Sequence, residues 1–243
     1  MIKNFMKKIL IFTGAGVDKE SGIETFRDSN DGLWNNYKIE DVATTDGWRR
    51  DKQKVLDFYN ERRKQLKSVE PNIAHKIIAN LEKDFDVTVV TQNVTDLHER
   101  AGSTKVIHLH GELTKSKSTL PGSSNTYDCV DDIKIGDKCE NGSQLRHNIC
   151  FFGENLNPKF IERATDAAYD CDICIVVGTS MQVAPANQIP FMTKPNTLIY
   201  FIDPSDMDFY VDKQRRPFIS HIKEVASTGM EKIKSELMDI FTK

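Results

Sequence analysis

No apolar run in this 243-residue chain approaches the roughly 20 residues that span a bilayer, so a membrane-crossing helix is not expected. Charge of one sign is equally scarce. The 33 Lys and Arg face 36 Asp and Glu, for a formal net charge of −3. That balance gives no electrostatic case for nucleic acid or an anionic membrane as the main partner. The basic cluster Arg62-Arg63-Lys64 is short and helix-borne, and a solvated face is its expected setting. The stretch from Met1 to Ile11 runs straight into a strand and a glycine turn, so structure is expected there rather than a cleaved leader. The expected address is the cytoplasm.

Cysteine is sparse as well. Five cysteines, an odd number, do not make a disulfide framework. Cys171 and Cys174 form a C-x-x-C within a strand-like run, where side chains three apart point to opposite faces. Core positions are therefore expected for both, not a shared metal. Cys129, Cys139 and Cys150 lack the close pairing of zinc ligands, and His147 with Cys150 would supply only half a site. No metal is expected. Internal repeats and low-complexity linkers are missing too.

What is present is alternation. Lys7 to Phe12, Asp86 to Val90, Val106 to Leu109, Ile173 to Val177 and Leu198 to Ile202 are apolar runs of strand length. Asn148 to Phe152 has strand character as well. A long helix is expected over Asp46 to Leu66, with Val55, Phe58, Tyr59 and Arg62 near one face. Another starts at Pro71, with Ile73, Ile77, Ile78 and Leu81 as its buried stripe. Further helices are expected over Asn157 to Ala168, Pro185 to Met192 and Ser227 to Phe241. The polar stretch Asp28 to Lys38 has Trp34 and Tyr37 as anchors, and Thr114 to His147 reads as a loop-dominated insertion. Strands alternating with helices imply the α/β class, with a parallel sheet covered on both faces.

Polar groups gather where these strands end, at the edge that lines the ligand crevice of such a sheet. Gly14-Ala15-Gly16 follows the first strand and permits close backbone approach to a pyrophosphate. The spacing is not G-x-G-x-x-G, because Lys19 stands where the third glycine would fall. Gly178-Thr179-Ser180 is a second glycine-hydroxyl turn, able to bond phosphate or ribose. Thr91-Gln92-Asn93-Val94 and His108-Leu109-His110-Gly111 add amides, a hydroxyl and an imidazole after two more strands. Together they suggest a nucleotide site with a catalytic histidine beside it.

With Ser21-Gly22-Ile23, Phe26-Arg27, Leu97-His98, Phe152-Gly153-Glu154 and Ile202-Asp203, these stretches resemble the sirtuin family of NAD-dependent protein lysine deacylases. The resemblance covers nearly the whole chain in family order. It implies a Rossmann-like parallel sheet with helices on both faces (about residues 1–27, 76–111 and 148–243) and a smaller domain from two insertions (about 28–75 and 112–147). NAD and the acylated lysine of a protein or peptide would meet between them. His110 would act as general base for a ribose hydroxyl, a task suited to an imidazole whose ordinary pKa of about 6.5 lies near working pH. Asn93 would hold ribose and an ordered water, Gln92 would order the cleft, Phe26 would cover the reacting sugar, and Arg27 would support phosphate or the mobile loop. Gly14, Ala15, Gly16, Gly178, Thr179 and Ser180 would line the dinucleotide, with Asp203 at its adenosine end. Phe152, Gly153 and Glu154 would offer backbone groups to an extended substrate strand.

The same resemblance implies a substrate class. Tyr59 and Arg62 match the pair that marks sirtuins favouring negatively charged acyl groups, and Ala43 matches the small residue that makes room for them. Arg62 would grip a succinyl or malonyl carboxylate with paired hydrogen bonds. Three departures stand out. The usual aspartate, which helps hold the nicotinamide carboxamide, is Thr95 here; the two zinc cysteine pairs are missing; Glu24 replaces a common proline. NAD glycohydrolysis or ADP-ribosyl transfer uses the same nicotinamide-leaving step, and a catalytically impaired NAD or ADP-ribose binding module would use the same site. Oligomeric state is not legible.

Overall fold

The computed structural model describes residues 6–24, 37–207, 209 and 211–241. Phe26, Arg27 and Trp34 lie outside the described residues. The strands, in chain order, are β1 (Lys8–Thr13), β2 (Asp86–Thr91), β3 (Val106–His108), β4 (Gly111–Ser118), β5 (Thr126–Asp128), β6 (Leu145–Ile149), β7 (Ile173–Val177), β8 (Leu198–Ile202) and β9 (Ile219–Ile222). The helices are α1 (Ala15–Lys19), α2 (Ile39–Val42), α3 (Thr45–Arg50), α4 (Lys52–Ser68), α5 (Ile73–Leu81), α6 (Leu97–Ala101), α7 (Pro158–Asp170) and α8 (Ala226–Phe241). None is long and apolar enough to cross a membrane among the described residues.

Six strands form a parallel sheet in the order β3-β2-β1-β7-β8-β9. The α/β expectation holds, and the reason is visible in β1. Its sequence KILIFT is apolar at every interior position, and successive side chains feed opposite core layers. Ile9 and Ile11 pack with Ile77, Ile78, Leu81, Met230, Ile233 and Leu237 from α5 and α8. Leu10 and Phe12 pack with Ala164, Ala168 and Ile189 on the other face. Each such side chain contributes roughly 1.5–3 kcal/mol through burial. Both thiols of the C-x-x-C lie in that second layer. Cys171 precedes β7 and its thiol donates to Ala168 O, so the opposite-face expectation is corrected while the core position holds. Burial pushes the Cys171 thiol up to about 11.

A second, three-stranded antiparallel sheet runs β5-β4-β6, within the stretch expected to be loop-dominated. Arg63 ties it to α4. Its Nε donates to Leu113 O at 2.8 Å, Nη1 donates to Asp131 O, and Nη2 reaches Lys115 O at 3.3 Å. Arg63 is only 2% exposed, which corrects the solvated-face expectation for the basic cluster. Asn60, one turn away, adds a reciprocal pair with Ile133, donating to its carbonyl and accepting its amide.

Several boundaries move for local reasons. The expected Asp46–Leu66 helix is two helices, because Asp51 leaves helical geometry to cap α4 through the Lys54 amide. Helix α5 begins one residue after its cap, Asn72, whose side chain accepts from Ala74 and His75 while donating to Val17 O. Pro71 therefore precedes the cap, and Ile73 is 48% exposed, with Ala74 taking its place in the buried stripe. The Pro185–Met192 helix forms as a tight 3-10 segment over Ala186–Met192. Strand β9 was not expected at all.

Candidate active site

The order of the parallel sheet reverses at β1 and β7: β2 and β3 extend to one side, β8 and β9 to the other. Ligand crevices of open α/β sheets form at this kind of switch point, beyond the carboxyl ends of the strands. Both glycine turns stand there. The Gly14 amide donates to Val177 O at 3.1 Å and the Gly16 amide to Gly178 O at 2.8 Å. A Cβ on Gly16 would lie 2.7 Å from Gly178 Cα, so the glycines are needed for the two turns to touch. This narrows the phosphate expectation, because two of the three turn amides are spent inside the protein. Helix α1 has only five residues, so its dipole adds little.

Strand β2 delivers Gln92 and Asn93 to the same edge, and a chain of hydroxyls holds them. Thr13 Oγ1 donates to Thr91 Oγ1 at 2.8 Å, Thr91 Oγ1 accepts the Asn93 amide at 3.0 Å, and His98 Nε2 lies 3.0 Å from Thr13 Oγ1. Asn93 Nδ2 donates to Gly14 O at 3.0 Å, which leaves the amide oxygen as the end not held by a described residue. Gln92 joins three elements. Its amide donates to Thr13 O, its Oε1 accepts from Thr179 Oγ1 at 2.9 Å, and its carbonyl accepts from His110 Nδ1 at 3.0 Å.

That last bond fixes the tautomer of His110. With the proton on Nδ1, the lone pair is on Nε2, the form a general base requires. Burial lowers the His110 pKa, and the Gln92 carbonyl opposes the effect without reversing it. Burial thus favours the neutral ring. Gly111, at φ +92°, follows at once, and a Cβ there would stand 2.0 Å from Asn148 O. Only glycine lets β4 start so close to β6, and this holds the ring in place.

Three functional candidates escaped the sequence reading. His108, two residues before His110, donates from Nδ1 to Asn93 O at 3.0 Å and from Nε2 to Glu99 Oε1 at 2.7 Å. Burial opposes its charge, but the Glu99 carboxylate and the Asn93 carbonyl outweigh it and raise the His108 pKa. The raised value means that His108 contributes stability fully below its unfolded pKa of about 6.5. That contribution is lost as pH rises through the folded value. The stability difference between the protein and His108→Gln should thus shrink from pH 6 toward alkaline pH in thermal melts; a flat difference would show the pair to be uncharged. Asp18 and His75 are the other two, with Asp18 Oδ1 3.1 Å from His75 Nε2 and its Oδ2 accepting from Thr95 Oγ1 at 2.8 Å. The signal for Asp18 was a charged residue soon after an apolar strand and a glycine turn; His75, inside α5, carried none.

Ser180 and Asp203, expected by the phosphates and the adenosine end, share a cavity of about 190 Å³ that Thr179, Gln182 and Ser205 also line. Asp203 Oδ1 accepts the Ser205 amide there, and its carbonyl accepts from His221. Ala43 and Tyr59 are buried. Tyr59 lies against Phe151 and His147, with ring centroids 5.9 and 5.5 Å away. Burial raises its hydroxyl pKa, opposed by Arg62 and Arg146. Arg62 is partly buried, and burial lowers its pKa while Tyr59, Glu24 and Asp18 work to raise it. The structure thus gathers Tyr59, Arg62 and Asp18 in one electrostatic neighbourhood.

The Phe152-Gly153-Glu154 expectation is corrected in part. Phe152 forms a parallel bridge with Thr44, donating to Ala43 O at 2.9 Å and accepting from Thr45 N at 3.1 Å. Its backbone is already paired, and what it offers is a ring 49% exposed. Glu154 pins the loop, accepting from Arg146, Lys117 and the Phe151 amide. The Glu154 amide donates to Phe151 O at 2.9 Å.

The geometry can be compared with known proteins. The family model described as "Sir2 family" matches residues 14–185. The chain is 43% identical over 238 residues to an NAD-dependent protein deacylase of Bacteroides thetaiotaomicron, covering 96% of this chain and 99% of that protein. It is 41% identical over 235 residues to an NAD-dependent protein deacylase of Helicobacter pylori, covering 97% and 99%. The crystal structure of a Sir2 homolog–NAD complex superposes with a TM-score of 0.83 at 36% identity, covering 97% of this chain and 91% of the other. Matched from the first glycine turn past the second, and aligned over nearly its full length with these proteins, the chain belongs to the Sir2 family.

Proposed function

We propose that this protein removes negatively charged acyl groups, succinyl or malonyl, from protein lysines, consuming NAD and releasing nicotinamide and O-acyl-ADP-ribose, with weaker activity on acetyl-lysine. The coarser part, an NAD-dependent protein deacylase, follows from membership of the Sir2 family and the similarity to proteins of that name. The NAD site fits the residues present: two glycine turns in contact at the switch point, an adjoining cavity of about 190 Å³, and a neutral imidazole beside them. When bound, NAD supplies an electrophilic ribose carbon with nicotinamide as its leaving group.

The chain's own residues do the rest. His110 Nε2 takes a proton from a ribose hydroxyl while Gln92 O steadies Nδ1. Asn93 holds the ribose through its amide oxygen, with its backbone fixed by Thr91 and His108. Thr179 and Ser180 face the phosphates, and Asp203 the adenosine end. The acyl lysine enters past Gly153, with its terminal carboxylate on Arg62 and the Tyr59 hydroxyl. The Rossmann-like part carries the NAD residues and Gly153, the first insertion carries Ala43, Tyr59 and Arg62, and the cytoplasm is the compartment.

One observation carries the acyl preference: a partly buried guanidinium beside a buried tyrosine, where burial works against the positive charge and an anionic ligand would offset that cost. The test is to incubate the protein with NAD and a succinyl-lysine peptide and weigh the products. O-succinyl-ADP-ribose is expected. Free ADP-ribose with an unchanged peptide would mean glycohydrolysis, and binding without turnover would mean a module that holds the dinucleotide.

A further inference from the structure

His108 ends β3, in register beside Thr91 on β2, and is only 6% exposed. Its ring reaches two acceptors on different elements. Nδ1 lies 3.0 Å from Asn93 O, and Nε2 lies 2.7 Å from Glu99 Oε1 on α6. A backbone carbonyl and an ionised carboxylate only accept, so both bonds exist only when each ring nitrogen carries a hydrogen. The geometry therefore asks for the imidazolium. A neutral ring has a single N–H, and one of the two contacts then becomes a meeting of lone pairs. The bond to the charged Glu99 is the stronger one. The hydrogen stays there, and the Asn93 carbonyl loses its donor.

The charges around the ring agree with this. Burial works against a charged His108, but Glu99, the Asn93 carbonyl and Glu112 on β4 raise its pKa. Burial works against the Glu99 carboxylate too, yet His108 and Lys115 lower its pKa. Asp96, at the N-cap of α6, and His98 also face the ring. Asp96 lies 3.8 Å from Arg100 and Glu112 2.8 Å from Lys115, while burial holds His98 well below the usual histidine value. Glu99 is the acid in contact with His108, and it decides the balance.

We propose that Glu99 and His108 are positioning residues for Asn93, and that the proton on His108 keeps Asn93 in the geometry that holds the ribose. The inference rests on the reading that Asn93 meets the ribose of NAD in this crevice. The other ties of Asn93 run from its amide to Thr91 Oγ1 and from Nδ2 to Gly14 O, and neither supplies a donor to its carbonyl. Loss of the proton sets the Nδ1 lone pair against that carbonyl. The peptide between Asn93 and Val94 then moves, and the side-chain oxygen assigned to ribose moves with it. Activity is full below the folded value of His108, which lies above the ordinary one, and is lost as pH rises through it. His108 thus sets an alkaline limit, opposite to the acid limit that His110 sets.

The test is the pH profile of kcat/KM for NAD with one acyl-lysine peptide, because that parameter reports ionisations of the free protein. The wild type should show an alkaline limb above the ordinary histidine value. Glu99→Gln keeps an acceptor for Nε2 but removes the charge. Its limb should move toward lower pH by about one unit or more, the least that an opposite charge in contact does. His108→Gln keeps an N–H donor without a titrating proton, so the limb should vanish. A mere loss of packing lowers the whole profile and leaves the limb in place. A wild type without the limb, or two active variants that keep it unmoved, would overturn the proposal. An NMR titration of the wild type needs neither variants nor turnover: the Asn93 amide signals should shift over the pH range in which the His108 ring titrates. Asn93 signals that ignore that titration overturn the positioning claim whatever the activity. Coupled signals in a protein that does not act on NAD overturn the functional reading instead, and with it the ribose part of the proposal.

Discussion

Replacing His110 by alanine should cut acyl-lysine turnover roughly 100- to 10,000-fold, the range that a positioned general base supplies. NAD affinity should stay nearly intact. The asymmetry comes from the geometry: the ring bonds the chain through Nδ1 to Gln92 O, and Nε2 is the atom assigned to chemistry. Gln92 keeps its bonds to Thr13 and Thr179 when the ring is removed, so the cleft should survive. The pH profile gives an independent reading. Because burial lowers the His110 pKa, the acid limb of kcat/KM should fall below the ordinary histidine value. Equal turnover in His110→Ala, measured by product mass, would remove this residue from the mechanism.

The second large effect is selective. Arg62→Met should reduce desuccinylation roughly 10- to 100-fold, since charge-assisted bonds are worth about 1.5–3 kcal/mol, and should reduce deacetylation far less. Methionine keeps much of the aliphatic length while the cation is lost. The quantity to measure is the ratio of kcat/KM for succinyl- and acetyl-lysine peptides with one sequence. Equal losses on both would make Arg62 a structural residue of α4.

How far the sequence reached depends on where each signal resides. The parallel strands were legible because burial on both faces demands continuous apolar runs, and Ile173–Val177 and Leu198–Ile202 form as expected. The small sheet was not. Strand β4 reads GELTKSKS, with little apolar alternation, and its register shifts between Glu112 and Ser116. Its pairing is decided by distant partners. The break at Asp51 was hidden for a related reason, since no glycine or proline stands at it. Arg63 read as surface because its partners are carbonyls brought together only by folding.

Within the site, the strand-end motifs located the edge but not the wiring. His110 was singled out from the motif around it, whereas His108, at the end of β3, was not. Only the fold reveals that one is clamped by Glu99 while the other is held by a single carbonyl. The same limit applied to Thr95. Its hydroxyl donates to Asp18 Oδ2 at 2.8 Å, a pairing that sequence separation hides.

The most direct test of the central claim is a crystal structure of the protein with NAD bound. We expect the nicotinamide ribose within hydrogen-bonding distance of His110 Nε2, with the phosphates over the two glycine turns. A dinucleotide bound with its ribose away from that ring, or with the ring walled off from it, would contradict the account.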